Sequence, residues 1–239
     1  MENFKLLQVL PSLESGGVEK GTVDLSNYLY EKKYINYIAS SGGKLLNHIK
    51  DKNFKHIDLP LDSKNFLLYP LLAYKLQKNI NTYGINILHI RSRAPAWLMP
   101  FLSKKNIFTV STFHNVYGNQ NFLKTIYNKQ LGNVNSIVAI SEYVKNEIIK
   151  KYSLLENKIT VINRGTDTNF FETKHINQKI LNEFIKKYNI PFNKKIILFP
   201  GRITEWKGQI EFLEIIKFFQ EKNLFFIFVG DGKNYKIKN

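Results

Sequence analysis

The chain contains no cysteine, which excludes disulfides and thiolate metal sites. Its five histidines, at positions 48, 56, 89, 114 and 175, show no ligand spacing, so no metal and no other cofactor is expected. Apolar runs are short: the longest, Leu224 to Val229, falls far below the roughly 20 residues that span a bilayer. A transmembrane helix is therefore not expected. The start, "MENFKLLQVLPSLESGG", carries Glu2 and only a brief apolar stretch, unlike a secretory signal, and reads as the first strand of a cytoplasmic protein. There is no Pro/Gly/Ser tract, acidic tail or repeat, which argues against disorder and against a solenoid.

The scarcest local feature is negative charge. No acidic residue occurs between Asp62 and Glu142, whereas Lys64, Lys75, Lys78, Arg91, Arg93, Lys104, Lys105, Lys124 and Lys129 fall in that interval. The formal net charge is +16. A partner of opposite sign is expected: nucleic acid, anionic lipid headgroups or a phosphorylated small molecule. Biased coding composition accounts for many lysines but not for the local loss of acids. Nucleic-acid binding rests on charge alone, because no recognition helix, zinc spacing or aromatic-basic RNA motif is present.

What is there is a globular composition, 44% hydrophobic and 14% aromatic over 239 residues, enough to bury a real core. Strand-like runs alternate with helical patterns, the signature of parallel βαβ units. Strands are expected at 5–11, 35–40, 55–60, 85–90, 107–112, 136–141 and 158–163, enough for one complete sheet. In the helix expected at 17–31, Val18, Thr22, Leu25 and Leu29 share one face. Ser141 is placed to cap the following "EYVKNEIIKKY". Past "VINRGTDTNFF" the pattern restarts with a polar linker at 172–178, a helix at 180–188, the strand "KIILFP", a helix at 207–221 and the strand "LFFIFVG". This predicts a first domain over 1–165 and the beginning of a second over 166–239. Two strands alone leave a parallel sheet without most of its neighbours, so the second domain is expected to be incomplete.

Three constellations carry chemistry. Gly16 and Gly17 stand between the first strand and its helix, where the backbone can approach a ligand and helix N-terminal amides attract an anion. The pattern is not G-x-G-x-x-G, which disfavours a nicotinamide-dependent dehydrogenase. His89, Arg91, Arg93, Thr112 and His114 lie at or beyond the carboxyl ends of neighbouring strands, the edge where open α/β sheets bind ligands; the two arginines suit a phosphate or carboxylate. In "GRITEWKGQ", Arg202 follows a strand, Thr204 can cap and Lys207 opens a helix, so that guanidinium, ammonium and amides converge on one anion. A diphosphate leaving group needs such an arrangement, because charge builds on its oxygen as the bond breaks.

With these residues in view, the chain resembles the retaining glycosyltransferases of the GT-B fold, family 4. The resemblance runs through "GGVEKGTVDLSNYL", "HIRSRAPAW", "TFHNVY", "VAISEYVKNEI", "VINRGTDTNFF", "FPGRITEWKGQ" and "VGDG". It implies two Rossmann-like domains facing across a cleft, with a sugar moved from a nucleotide-diphosphate sugar to an acceptor with retention. It also implies that Arg202 and Lys207 grip the donor diphosphate beside Gly16 and Gly17, that His114 approaches the transferred sugar, and that the first domain shapes the acceptor site, for which Glu19, His89, Arg91, Arg93 and Thr112 are the candidates. His114, Arg202 and Lys207 are the candidate catalytic residues. The family's envelope and lipopolysaccharide chemistry implies a glycan or lipid-linked acceptor and a peripheral place on the inner face of the cytoplasmic membrane. The sequence departs from the family in one respect: nothing in 210–239 supplies its two-glutamate motif, and Glu211, Glu214 and Glu221 read as a solvent-facing helix surface. A truncated product, a split frame completed by a second chain, and a partial chain are the three expectations. A non-catalytic module that holds an acceptor or a membrane is the alternative function.

Overall fold

The computed structural model describes residues 4–118, 121–168, 171–204, 207–219, 223–230 and 232. Glu205, Trp206, Glu221 and Asp231, all within stretches singled out above, lie outside the described residues. The chain divides into two compact units, Met1–Gly165 and Thr166–Asn239.

The first unit is built on a seven-stranded sheet: β1 (Lys5–Val9), β2 (Ile35–Ser40), β3 (His56–Asp58), β4 (Ile87–Ile90), β5 (Phe108–Phe113), β6 (Ser136–Ala139) and β7 (Ile159–Val161). The spatial order is β3-β2-β1-β4-β5-β6-β7, and every pair is parallel. Parallel neighbours cannot be joined by hairpins, so crossovers link them: α1 (Gly17–Glu31), α2 (Tyr69–Tyr83), the short α3 (Arg93–Ala96), α4 (Phe122–Lys129) and α5 (Glu142–Tyr152). The doubly wound α/β fold expected from the alternating pattern is the one found. The chain runs outward from β1 to β3 and then returns to place β4 on the other side of β1, so the order reverses between β1 and β4. Ligands bind outside the carboxyl ends of the strands at such a switch point.

Strands buried on both faces explain the near-continuous apolar runs. The larger core joins Leu7, Val9, Leu88, Ile90, Phe113 and Ile137 to Leu72 and Leu76 of α2 and to Val144 and Ile148 of α5. A smaller one packs Val23 of α1 against Leu10, Leu13 and Ile38. At the start of α5, the Ser141 hydroxyl accepts the Val144 amide at 3.2 Å, the cap its sequence calls for.

The face of α1 differs from expectation. Its buried residues are Thr22, Val23, Ser26 and Leu29, so Leu25 and Val18 are only partly covered. The rotation has a polar cause. The Ser26 hydroxyl bonds Asn36 of β2, and the Thr22 carbonyl accepts from Gln8 of β1 at 3.1 Å. Two side-chain bonds to the sheet turn the helix further than the apolar spacing alone would.

The second unit holds α6 (Gln178–Lys187), α7 (Gln209–Ile216) and a two-stranded parallel sheet of β8 (Lys195–Pro200) and β9 (Leu224–Val229). Phe199, Phe212 and Phe228 cluster between the sheet and α7, while Ile196 and Leu198 of β8 stay exposed. Among the described residues no helix is long and apolar enough to cross a membrane.

Candidate functional site

Three strand ends of the first unit meet at the switch point. β1 runs into the loop before Gly16, β4 ends at Ile90 just before Arg91, and β5 ends at Phe113 just before His114. Gly16 caps α1 with φ 138° and ψ 173°, a region essentially closed to residues with a Cβ. A Cβ there would also meet the Glu19 carboxylate at 2.5 Å. Glu19 lies in the first turn of α1, where a carboxylate complements the helix dipole.

Arg91 is 7% exposed. Its Nη1 donates to Gln8 Oε1 at 3.1 Å, its backbone amide donates to the Val9 carbonyl at 2.9 Å, and its Nε has no partner among the described residues. Burial, and then the neighbouring Arg164, lower its pKa to about 10, with Glu19 opposing. Arg91 is therefore still a cation at neutral pH, held in the interior with the neutral Gln8 as its side-chain hydrogen-bond partner among the described residues. A buried charge so placed favours an arriving anion.

The two histidines face this charge. His89 of β4 is buried and shares a hydrogen bond with Thr112 of β5, Nε2 to Oγ1 at 2.8 Å. Burial, Arg91 and His114 hold it well below the ordinary imidazole range. Burial, then Arg91 and Arg164, lower His114 to about 3. Both rings are thus neutral near pH 7. Both ring nitrogens of His114 are buried and lack a partner among the described residues. A neutral imidazole offers one donor and one acceptor, which fits a sugar hydroxyl better than it fits proton abstraction at neutral pH.

Gly16, Gly17, Glu19, His89, Arg91, Thr112 and His114 are thus gathered at one sheet edge, while Arg93 has other partners. Its guanidinium lies 3.8 Å over the Tyr117 ring and 5.8 Å from that of Tyr127, and Nη1 donates to Asn128 Oδ1 of α4 at 2.8 Å. Expected to meet a phosphate or carboxylate, it instead clamps α4 to the segment after β5, because α3 begins at Arg93 and takes it away from Arg91. Tyr152 of α5 fastens the same segment, its hydroxyl donating to the Tyr117 carbonyl at 3.1 Å.

Two residues of the cluster escaped the sequence reading. Gln8 ties Arg91 to α1; its signal is a lone amide inside the apolar strand "KLLQV". Arg164 donates to the Gly17 carbonyl, and a Cβ at Gly21 would lie 3.1 Å from its Nη2 and 3.3 Å from Arg91 Nη2. The missing side chain at Gly21 leaves room for both guanidiniums beside α1. Within "VINRG" only the arginine's position directly after a strand hinted at this.

In the second unit, Arg202 is exposed, and its carbonyl accepts from Gln209 Nε2 at 2.9 Å. The Lys207 amide bonds the Thr204 carbonyl at 3.0 Å. α7 begins at Gln209, capped by Gly208 at φ 81°, so Lys207 stands before the helix rather than opening it, and Thr204 is not its cap. Gly208 stands in the left-handed region, a conformation that glycine takes at little cost. Glu211 and Glu214 are exposed on α7, Glu214 pairing with Lys217 at 2.7 Å. Among the described residues no group of three or more His, Cys, Asp or Glu could hold a metal.

Comparison with known proteins agrees with this architecture. A glycosyltransferase from Rickettsia africae ESF-5 superposes with a TM-score of 0.83 at 34% identity, over 97% of this chain and 61% of that one. Anabaena Alr3699/HepE, solved in complex with UDP and glucose, gives a TM-score of 0.77 at 16% identity, over 96% and 61%. The apo form of the lipopolysaccharide outer core galactosyltransferase WaaB gives 0.64 at 12% identity, over 96% and 62%. The chain spans about three fifths of the length of these solved chains. None of the curated proteins matches it. The family model for Glycosyltransferase Family 4 matches residues 15–170, and the chain belongs to that family.

Proposed function

We propose that this chain takes part in transferring a sugar, with retention, from a nucleotide-diphosphate sugar to a glycan or lipid-linked acceptor. The observation that carries this reading is His114: a neutral ring whose two nitrogens have no partner among the described residues, in the field of the buried Arg91 cation. Such a cluster offers hydrogen bonds to hydroxyls and a fixed positive potential to an anion, and a glycosyl phosphate carries both hydroxyls and an anion. Charge develops on the diphosphate oxygen as the glycosidic bond breaks, and preorganised cations stabilise that state more than the ground state. Within the second unit Arg202 and Lys207 are assigned that role; within the first, the Gly16–Gly17 turn at the N-terminus of α1 is the candidate anion site. His89, through Thr112, and Glu19 shape the sugar and acceptor side. The UDP and glucose bound to HepE and the galactosyl transfer named for WaaB support the choice of donor class.

The test is calorimetric titration of the chain with UDP and UDP-glucose, followed by product analysis with candidate acceptors. Binding that weakens at least about tenfold in Arg202→Ala and in His114→Ala supports the reading; no binding by the wild type, or equal binding by all three, overturns it. The alternative, a non-catalytic module, takes hold if acceptor binds without any turnover of the nucleotide sugar.

A further inference from the structure

The first unit has a cleft at the amino ends of its strands that the candidate site leaves unexplained. Its volume is about 400 Å³, within the range of small-molecule sites. It lies between the turn after α1, the start of β2 and the segment 51–55 before β3. Arg91 and His114 stand at the carboxyl ends of the same parallel sheet, and the six residues of β2 put about 20 Å between the two edges. The cleft is therefore separate from the candidate site.

Its walls combine aromatic rings with charge. Tyr34, 44% exposed, meets the Phe4 ring edge-on at 5.1 Å, and the half-buried Tyr37 stacks on Tyr83 at 4.9 Å, so both rings are held in place. Asp51, Lys33 and Lys55 line the same cleft. The Asn53 amide donates to Asp51 Oδ1 at 2.8 Å, which orients the carboxylate, and Lys55 Nζ lies 5.4 Å from the centre of the Tyr83 ring. None of these three charges forms an ion pair among the described residues. Lys33 adds an independent sign. It stands at φ 62° as the left-handed residue that ends α1, its amide donating to the Tyr30 carbonyl at 2.9 Å and the Tyr34 amide to the Leu29 carbonyl at 2.8 Å. Glycine is the usual residue there, because a Cβ is strained in that conformation. The chain instead keeps a lysine, and that lysine lines the cleft.

We propose that this cleft binds a neutral hexopyranosyl unit of a glycan, apart from any sugar held at the candidate site. A pyranose ring presents an apolar C–H face, which packs on the negative face of an aromatic ring, and a rim of hydroxyls that both donate and accept. The Asp51 carboxylate accepts from such hydroxyls, and the two ammonium groups donate to them. The same carboxylate opposes a phosphate, which disfavours a nucleotide or a sugar phosphate. A purely apolar ligand would leave three charges desolvated without partners.

The experiment is a titration of the full chain, followed by backbone amide NMR, with the methyl glycosides of glucose, galactose, mannose and N-acetylglucosamine, the methyl group standing in for the glycosidic link. No nucleotide is present. At least one glycoside is expected to shift the amides of 33–37 and 51–55. Tyr34→Ala weakens that binding at least about fivefold. Lys33→Gly weakens it at least about threefold while the melting temperature holds or rises, since glycine suits the left-handed position; a lysine with only a structural role would show the second effect alone. Both variants should titrate with UDP as the wild type does, so that failure here is distinct from failure of the transfer reading. Absence of shifts at those amides with every glycoside, unchanged binding in Tyr34→Ala or Lys33→Gly, or tighter binding of uridine monophosphate at the same amides would overturn the proposal.

Discussion

Gln8 and Arg91 meet at 3.1 Å between two adjacent strands, with Gln8 fully buried and Arg91 almost so. The amide also donates to the Thr22 carbonyl, so one side chain links β1, β4 and α1. Replacing Gln8 by Leu leaves a buried guanidinium without its acceptor, at a cost of about 2 kcal/mol. Urea unfolding followed by circular dichroism measures it. Adding Arg91→Met should restore part of the loss, since an apolar pair no longer holds an unpaired charge.

The histidines set a pH dependence. Because the folded pKa of His114 is lowered to about 3, and that of His89 is lowered too, the unfolded chain binds more protons than the folded one below the ordinary value of 6.5. Stability therefore rises with pH through that window and falls as acid is added from about pH 6.5 downward. Thermal melts at pH 5 and pH 7 should differ less for His114→Gln than for the wild type. NMR of the His114 ring should show no titration between pH 5 and pH 8.

Gly16→Ala strains the cap of α1. Its φ of 138° and ψ of 173° cost an alanine about 1–3 kcal/mol, with the Glu19 carboxylate crowding the new Cβ as well. The melting temperature should fall. Combining it with Glu19→Ala should recover little, because the penalty lies in the backbone and not in the contact.

Arg93→Lys is not conservative here. Lysine keeps the charge but loses the planar stack on Tyr117 and the directed bond to Asn128. Amide hydrogen exchange in α4 should accelerate, with a global cost of about 1 kcal/mol, while exchange in β1 and β4 stays unchanged.

The alternation of apolar runs with helical patterns made the seven parallel strands and α1 legible, since strands buried on both faces must be apolar along their whole length. Strand ends flanked by His89, Arg91 and His114 pointed to a ligand edge. The rotation of α1 was not legible, because Ser26 reads as polar in a helix pattern yet is buried against Asn36. Arg91 and Arg93, two apart and alike in sequence, took opposite roles: one faces the switch point, the other is spent on Tyr117 and Asn128.

By itself the sequence determined the fold class, the family motifs and the local surplus of positive charge, because all three follow from residue order and composition. Tertiary structure alone decided which cations lie side by side. Arg164 lies 73 positions from Arg91 along the chain, yet α1 gathers both beside Gly21. It also decided that His114 is neutral, since burial and the field of neighbouring guanidiniums depend on packing that no local pattern encodes.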